Sequence, residues 1–326
     1  MPDISIEDSE QRLAPPTDSR DDGAEKTRRP LLTRNSFALA MFLMTVVSTT
    51  WAGLTAWAPD MVLYRTWESG SAHVLRRCLI DNWNTGLQFS AALLSILLMH
   101  EFGHYCMMRY YGIRSTLPIF IPFPFNPFGT CGAIILMDPS QANRKQIFDI
   151  GLAGPLAGLV VAVPLAIVGL LDGVSPAYTQ PQSLQLGQPM LIALLDQWLG
   201  TKATLNSAGA SVSMSNPWSM AAWIGLLITG INMTPLSQLD GGHVAYGLLG
   251  KRSAFLAKFT FGMIIAFMIA MKSFFFAPML LIILLIGLSH PPSSDDSEPI
   301  GPLRIVLGVA SLTLPILCIP ANPFVP

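Results

Sequence analysis

The chain has 326 residues, of which 51% are hydrophobic and 12% are charged, and its net charge is −1. Soluble domains carry about 25% charged residues, so this composition excludes an ordinary soluble protein, and the near-zero net charge excludes a basic nucleic-acid-binding protein. Residues 1–34 hold 14 of the charged residues, whereas positions 84–290 hold only 15. We therefore expect an all-α polytopic membrane protein.

Residues 1–34 are rich in Asp, Glu, Arg, Ser and Pro, and this composition predicts a disordered tail. Three arginines near the end of the tail precede the first apolar run, which begins at about residue 36. By the positive-inside tendency, these arginines place the tail in the cytoplasm. Residues 35–83 are then expected to hold the first transmembrane span and an extracytoplasmic loop of mixed polarity.

The second span is predicted at about 85–111. The apolar segment 117–137 that follows contains four prolines, and each interior proline costs a helix about 3 kcal/mol. Irregular backbone at membrane depth requires a protein-lined or wet environment. We therefore predict a small re-entrant β-hairpin with its turn near 126–129.

Further apolar runs bring the predicted total to six or seven transmembrane helices. The third span carries glycines at 151, 154 and 158, and we interpret this face as a packing seam rather than a gap for substrate. Residues 84–290 would form the core of the protein, and 291–326 a polar linker with a C-terminal span. The predicted segments are spans at about 147–171, 218–233, 255–271, 274–289 and 303–319, and a polar loop at 172–217.

Residues 100–104 form HEFGH, an H-E-x-x-H motif near the end of the second span. On a helix, His100 and His104 share one face and can bind one zinc ion, while Glu101 lies beside the remaining coordination position, where it can take a proton from water. Ionisable residues inside a bilayer are costly and typical of functional sites. The alternative is a pair of structural histidines bonded to backbone, which leaves Glu101 unexplained.

Asp240 is the candidate for a third zinc ligand. It is the sole acidic residue between Asp196 and Asp295, and the charge-based topology puts it on the same side of the membrane as HEFGH. The alternative is a helix cap in ordinary Asp-Gly-Gly turn chemistry. Eight residues earlier, the amide of Asn232 is suited either to holding a substrate backbone or to a hydrogen bond between helices.

Four segments together resemble the site-2 protease family of intramembrane zinc metalloproteases: HEFGH at 100–104, GTCGA at 129–133, FDIGLAGPLAG at 148–158 and NMTPLSQLDGG at 232–242. The resemblance extends from about residue 90 to 290, and it includes HPP at 290–292. The sequence is most similar to the short bacterial and plastid-type members of this family. The predicted loop at 172–217 is too short for the PDZ domain that many members carry.

The resemblance implies one zinc ion held by His100, His104 and Asp240, with Glu101 as general base and acid and Asn232 positioning the scissile peptide. It implies substrates that are membrane-spanning helices, cut near the cytoplasmic face in regulated intramembrane proteolysis. The expected location is a bacterial cytoplasmic membrane with the active site toward the cytoplasm. A plastid membrane is the alternative, and the oligomeric state stays open.

Two other functions compete with that of a protease. A zinc-binding or zinc-transporting membrane protein also places His and Asp in the membrane, but it does not need Glu101. A catalytically silent relative would bind membrane helices without cutting them. Outside the motifs, His243 is expected either to orient Asp240 or to face solvent, and His290 is expected to be solvated.

Overall fold

The computed structural model describes residues 35–137, 141–172, 186–201, 211–212, 216–291, 293–321 and 323. The described part of the chain is mostly helical. The helices are α1 (Asn35–Leu54), α2 (Pro59–Ser69), α3 (His73–Asp81), α4 (Trp83–Tyr110), α5 (Arg144–Asp172), α6 (Met190–Leu199), α7 (Pro217–Asn232), α8 (Asp240–Leu249), α9 (Ser253–Met271), α10 (Ala277–Ile286), α11 (Pro302–Ser311) and α12 (Leu314–Cys318). The strands are β1 (Ile119–Pro122), β2 (Thr130–Ile134), β3 (Leu186–Gly187) and β4 (Ser211–Val212), and β1 pairs with β2 and β3 with β4. The predicted tail at 1–34 and most of the predicted loop at 172–217 lie outside the described residues.

Within the described ranges, four helical stretches are long and apolar enough to cross a membrane: α1, α4, α5 and the run Asp240–Met271, which joins α8 to α9 through a 3-10 turn. The fold is therefore that of a helical membrane protein. The predicted fourth span is α7, whose 16 residues extend about 24 Å at 1.5 Å per residue, less than a hydrocarbon core of about 30 Å. The last predicted spans correspond to α9, the shorter α10, and α11 with α12. The total of six or seven crossings remains a prediction.

Residues 59–83 form two short helices where the sequence predicts a loop. Pro59 lies in the first turn of α2, where its fixed φ suits a helix start. The helix ends at Gly70, which has a left-handed φ of +60°. These helices expose polar and apolar side chains together, Arg65 and Trp67 among them. Their sequence therefore has the mixed polarity that is typical of a loop.

The proline-rich segment after α4 forms the predicted β-hairpin. Strands β1 and β2 are antiparallel, with Ile119 opposite Ile134. In the turn, the side-chain oxygen of Asn126 accepts a hydrogen bond from the backbone N–H of Gly129 at 2.6 Å. The hairpin is attached to α1, because the hydroxyl of Ser48 donates to the Gly129 carbonyl at 2.6 Å. Its re-entrant position in the bilayer remains a prediction.

Helix α5 contacts α4, α7 and α8. Helix α7 is almost entirely buried, and its Trp223 is fully enclosed, with the indole N–H donating to the Gly187 carbonyl at 2.8 Å. Phe89 of α4 is equally buried in the same hydrophobic cluster. The core therefore lies where α4, α5 and α7 meet, and it brings the C-terminal part of α4 close to the end of α7.

An ion pair ties the C-terminal helix α11 to the core. Arg304 donates from Nε and Nη2 to the two carboxylate oxygens of Asp149 in α5, at 2.8 Å each. The hydroxyl of Tyr111 donates to the same carboxylate. The C-terminal segment is thus in direct polar contact with α5.

We expect Arg304→Gln to lower the free energy of unfolding by about 1–2 kcal/mol, because it leaves the mostly buried Asp149 carboxylate without its cation. The matched control is Lys145→Gln, which removes a surface pair with Glu298 and should cost less than about 1 kcal/mol. Thermal unfolding of the purified protein in detergent measures both variants. Equal shifts in melting temperature would contradict the structural role of the Arg304 pair.

Candidate metal centre

The HEFGH motif lies in the C-terminal half of α4 and faces the interior of the helix bundle. His100 and Glu101 are 3% and 9% exposed. The i, i+4 spacing puts His104 one turn further along the same face. As a result, the Nε2 atoms of the two histidines are 3.2 Å apart.

Asp240 reaches this pair through the break between α7 and α8. Helix α7 ends at Asn232, Pro235 follows, and α8 begins at Asp240 itself. The carboxylate lies 3.1 Å from Nε2 of His100 and 3.4 Å from Nε2 of His104. Leu239 is the N-cap residue of α8, and the contacts of the Asp240 side chain are with the two histidines. The structure therefore brings the three predicted ligands together and does not use Asp240 as a helix cap.

The ring of His104 is oriented by α5. Its Nδ1 lies 2.8 Å from the carbonyl oxygen of Ile150, which can only accept, so Nδ1 carries the hydrogen. Neutral His104 then presents the lone pair of Nε2 to the centre, as histidine metal ligands do. Nδ1 of His100 is buried without a hydrogen-bond partner among the described residues, and it lies against Gly158.

The glycine-bearing face of α5 permits this close approach of helices. A Cβ at position 154 would lie only 2.1 Å from Nε2 of His104. At position 158, a Cβ would lie 3.3 Å from the ring of His100. The glycines therefore pack directly against the two histidines, a contact that supports the interpretation of this face as a packing seam.

The three donors fit a zinc ion. Zinc–ligand bonds of about 2.0–2.2 Å in a tetrahedron place neighbouring ligand atoms about 3.3–3.6 Å apart. The two histidine Nε2 atoms are 3.2 Å apart, and the two oxygens of Asp240 lie close to them, Oδ2 at 3.1 Å from His100 and Oδ1 at 3.4 Å from His104. A carboxylate and two imidazole lone pairs at such distances repel one another unless a metal cation or a proton lies between them. The assignment of His100, His104 and Asp240 as zinc ligands remains a prediction that this geometry supports.

A cavity of about 270 Å³ opens onto the centre. Glu101 and Asn232 line it together with the three candidate ligands, and Ala133 and Ile134 of the hairpin form another part of its wall. The amide nitrogen of Asn232 lies 3.4 Å from Nε2 of His100. Both predicted catalytic side chains therefore line the same cavity as the His-His-Asp group.

The prediction for His290 is wrong. It is half-buried, and its Nε2 lies 2.6 Å from Nδ1 of His243. His243, one turn after Asp240 in α8, lines the cavity. The sequence signal that could have indicated this contact is HPP at 290–292, which belongs to the region of family resemblance but has no spacing relation to the other motifs.

A buried His-His-Asp group with an adjacent glutamate lies inside a bundle of membrane-length helices, an arrangement typical of membrane-embedded metallopeptidases. The model of peptidase family M50 matches residues 88–275, more than half of the chain. The chain therefore belongs to peptidase family M50, and the resemblance to the site-2 proteases is confirmed.

Relatives with similar sequences carry the names of chloroplast proteases. "Probable zinc metalloprotease EGY1, chloroplastic" of Oryza sativa subsp. japonica is 31% identical over 228 residues, which is 67% of this chain and 38% of that protein. The protein of the same name from Arabidopsis thaliana is 30% identical over 234 residues, 69% of this chain and 41% of the relative. The chain thus spans less than half the length of these relatives. No solved structure matches the chain.

We expect Gly154→Ala to weaken zinc binding about 10- to 100-fold, the range typical of changes next to metal ligands, because the added methyl group would displace the His104 ring. Gly262→Ala in α9 is the matched control, since a Cβ there would meet no atom within 4 Å. Zinc content after dialysis against graded chelator concentrations measures the effect. Full zinc retention in Gly154→Ala would contradict the assignment of His104.

Proposed function

We propose that the protein is an intramembrane zinc endopeptidase that hydrolyses peptide bonds within or near the transmembrane helices of membrane-protein substrates. The observation that carries this proposal is the convergence of His100, His104 and Asp240 with Glu101 on one cavity. Membership of peptidase family M50, and similarity to proteins named as zinc metalloproteases, support it.

Each side chain at the centre has a distinct role in this proposal. One zinc ion held by the two histidines and Asp240 would activate water and polarise a scissile carbonyl. Glu101 is placed to accept a proton from water in the cavity and to return it to the leaving amine. The amide of Asn232 is placed to donate a hydrogen bond to a substrate carbonyl oxygen as negative charge develops there.

The hairpin offers a place to hold an unwound substrate. A helical substrate keeps its carbonyls in internal hydrogen bonds and must unwind before attack. Leu136 bonds toward the β1 side: its N–H donates to the hydroxyl of Thr116 and its carbonyl accepts from the N–H of Thr116. In an extended chain, the backbone N–H and C=O groups of successive residues point to opposite sides. The backbone groups of Ile135 therefore point away from β1. Ile135 also lines the cavity. We propose that a substrate strand adds at this edge.

The basic residues support a proposal for the orientation. The guanidinium of Arg144, at the start of α5, donates to the Gly247 carbonyl at 2.8 Å, so the start of α5 and the end of α8 lie together. Lys145, Lys251 and Arg252 belong to the same two regions. Such a cluster is typical of the cytoplasmic side of a membrane. We therefore propose that the centre faces the cytoplasm.

We propose the following organisation around this centre. A cytoplasmic tail at 1–34 precedes a first span and extracytoplasmic loop at 35–83, the protease core at 84–290, and a linker with a last span at 291–326. The whole would make six or seven crossings with a re-entrant hairpin. A bacterial cytoplasmic membrane is the proposed location, with a plastid membrane as the alternative that the names of the relatives favour.

The first test compares the parent protein with Glu101→Gln in detergent, on a panel of fluorescent single-span helices. We expect about one zinc ion per chain in both proteins and cleavage that falls about 10²- to 10⁴-fold in Glu101→Gln, the usual contribution of a general base. Cleavage at equal rates by both proteins would disprove the role of Glu101. Zinc uptake into vesicles that persists in Glu101→Gln would favour a transporter.

Strand addition predicts that Ile135→Pro lowers kcat/KM about tenfold or more, because proline removes the N–H that would pair with the substrate. Ile135→Val is the matched control, since it keeps the backbone donor and the β-branched shape. Zinc content should be unchanged in both variants. Unimpaired cleavage by a zinc-loaded Ile135→Pro protein would count against pairing at this edge.

A further inference from the structure

A pair of histidines that the proposed chemistry does not use lies beside the cavity. His243 belongs to α8, one turn after Asp240, and His290 comes from the segment after α10. The two rings meet edge to face, with centroids 4.8 Å apart, and Nδ1 of His243 is 2.6 Å from Nε2 of His290. His243 is also part of the cavity wall.

The hydrogen bonds fix the positions of the protons. Nδ1 of His290 lies 2.5 Å from the carbonyl oxygen of Pro291, which can only accept, so this nitrogen carries the hydrogen. Burial lowers the pKa of His290, in keeping with a neutral ring. A neutral imidazole has one N–H group, so Nε2 of His290 accepts and Nδ1 of His243 donates. His243 then carries its lone pair on Nε2.

Both rings are held in place by their neighbours. The ring of Tyr246 stacks on His290, with centroids 4.4 Å apart and planes at 20°. The Tyr246 hydroxyl donates to the carboxylate of Asp296 at 3.0 Å, which fixes the linker on α8. On the α5 side, a Cβ at position 151 would lie 2.6 Å from Cβ of His243. His243 is thus confined between α5 and His290.

The remaining nitrogen of His243 is an acceptor without a donor. Nε2 has no hydrogen-bond partner among the described residues. It is also absent from the fully buried polar atoms that lack a partner there, so it remains accessible. The cavity that His243 lines already contains a donor for a carbonyl, the amide of Asn232. An unwound peptide presents both carbonyl and N–H groups, and only the N–H groups require an acceptor such as Nε2.

We propose that Nε2 of His243 accepts a hydrogen bond from a backbone N–H of the substrate close to the scissile bond, and that His290 is a positioning residue that holds His243 in this tautomer. The inference rests on the proposed function for the nature of the substrate. Asn232 donates to a substrate carbonyl, and His243 accepts from a substrate N–H. Together the two contacts set the register of an extended peptide in the cavity.

A double-mutant cycle between enzyme and peptide tests the contact. The probe is a synthetic single-span peptide of about 25 residues, rich in Leu and Ala, with glycines toward its cytoplasmic end so that it unwinds. In a series of analogues, one amide at a time becomes an ester, which removes a single N–H. Binding is measured in the Glu101→Gln background, where cleavage does not interfere, with and without His243→Phe.

We expect the ester at one position to weaken binding about fivefold through loss of the hydrogen bond to His243, the size of one neutral hydrogen bond. This loss should vanish in His243→Phe and persist in His73→Phe, which changes a histidine in the distant helix α3. Esters at positions that pair with the hairpin edge should weaken binding equally with and without His243. Ester penalties that are equal with and without His243 at every position would overturn the proposal. So would loss of zinc from His243→Phe, which would assign the residue to holding Asp240.

Nitrogen-15 NMR of histidine-labelled protein tests the tautomer without any substrate. The chain has five histidines, and the signal of His243 is the one that disappears in His243→Phe. We expect the hydrogen on Nδ1 in the parent and in His290→Gln, whose side-chain oxygen can accept, and a shift toward the other tautomer in His290→Leu. A hydrogen on Nε2 in the parent would overturn the proposal.

The two measurements separate this inference from the proposed function. Failure of the all-amide peptide to bind the Glu101→Gln protein would count against the peptidase, and the NMR tautomer would then decide the role of His290. Cleavage by the parent protein, together with ester penalties that do not depend on His243 at any position, would leave the peptidase intact and remove only the proposed contact.

Discussion

The contact between α5 and the site histidines is the constraint on which the rest of the structure depends. Nε2 of His104 occupies the space that a side chain at position 154 would fill. Once α5 is this close, the carbonyl of Ile150 meets His104, and the backbone at 151 meets His243. Asp149, one residue earlier, anchors Arg304. Fewer than two turns of one helix therefore organise the ligands, the cavity wall and the C-terminal segment.

Burial of ionisable groups explains why they occur together. A lone carboxylate or imidazolium inside an apolar bundle is strongly disfavoured, and neighbouring partners or a cation reduce that cost. Glu101 and Asp240 lie on one cavity with two histidines, and Asp149 lies against Arg304. Glu101, Asp149 and Asp240 are thus concentrated where charges compensate each other. The same concentration gives the centre its capacity for acid–base chemistry.

Short sequence patterns predict much of the fold and of the candidate site. The apolar run that predicts a span at 85–111 is α4, Trp83–Tyr110, because a lipid-facing helix must be apolar along its length. The spacing of HEFGH fixes one shared face by helix geometry alone. Asp240 could be predicted because acidic residues are so rare around it. Each of these predictions depends on residues that are close in sequence or conspicuous in composition.

The remaining features depend on contacts between distant parts of the chain. His243 and His290 are 47 residues apart, and no periodicity links them, so only the packing of the linker on α8 brings them together. The orientation of His104 by a backbone carbonyl leaves no trace in side-chain identity. Helices α2 and α3 were missed because mixed polarity indicates a loop equally well.

The order in which the chain is made has a consequence for its centre. Asp240 follows His100 by 140 residues, and at 5–20 residues per second a ribosome needs roughly 7 to 28 seconds to add that stretch. During this interval the nascent chain displays both imidazoles and Glu101 without the aspartate, and His290 and Arg304 are synthesised later still. A growing chain therefore passes through insertion into the membrane before its His-His-Asp group can be complete.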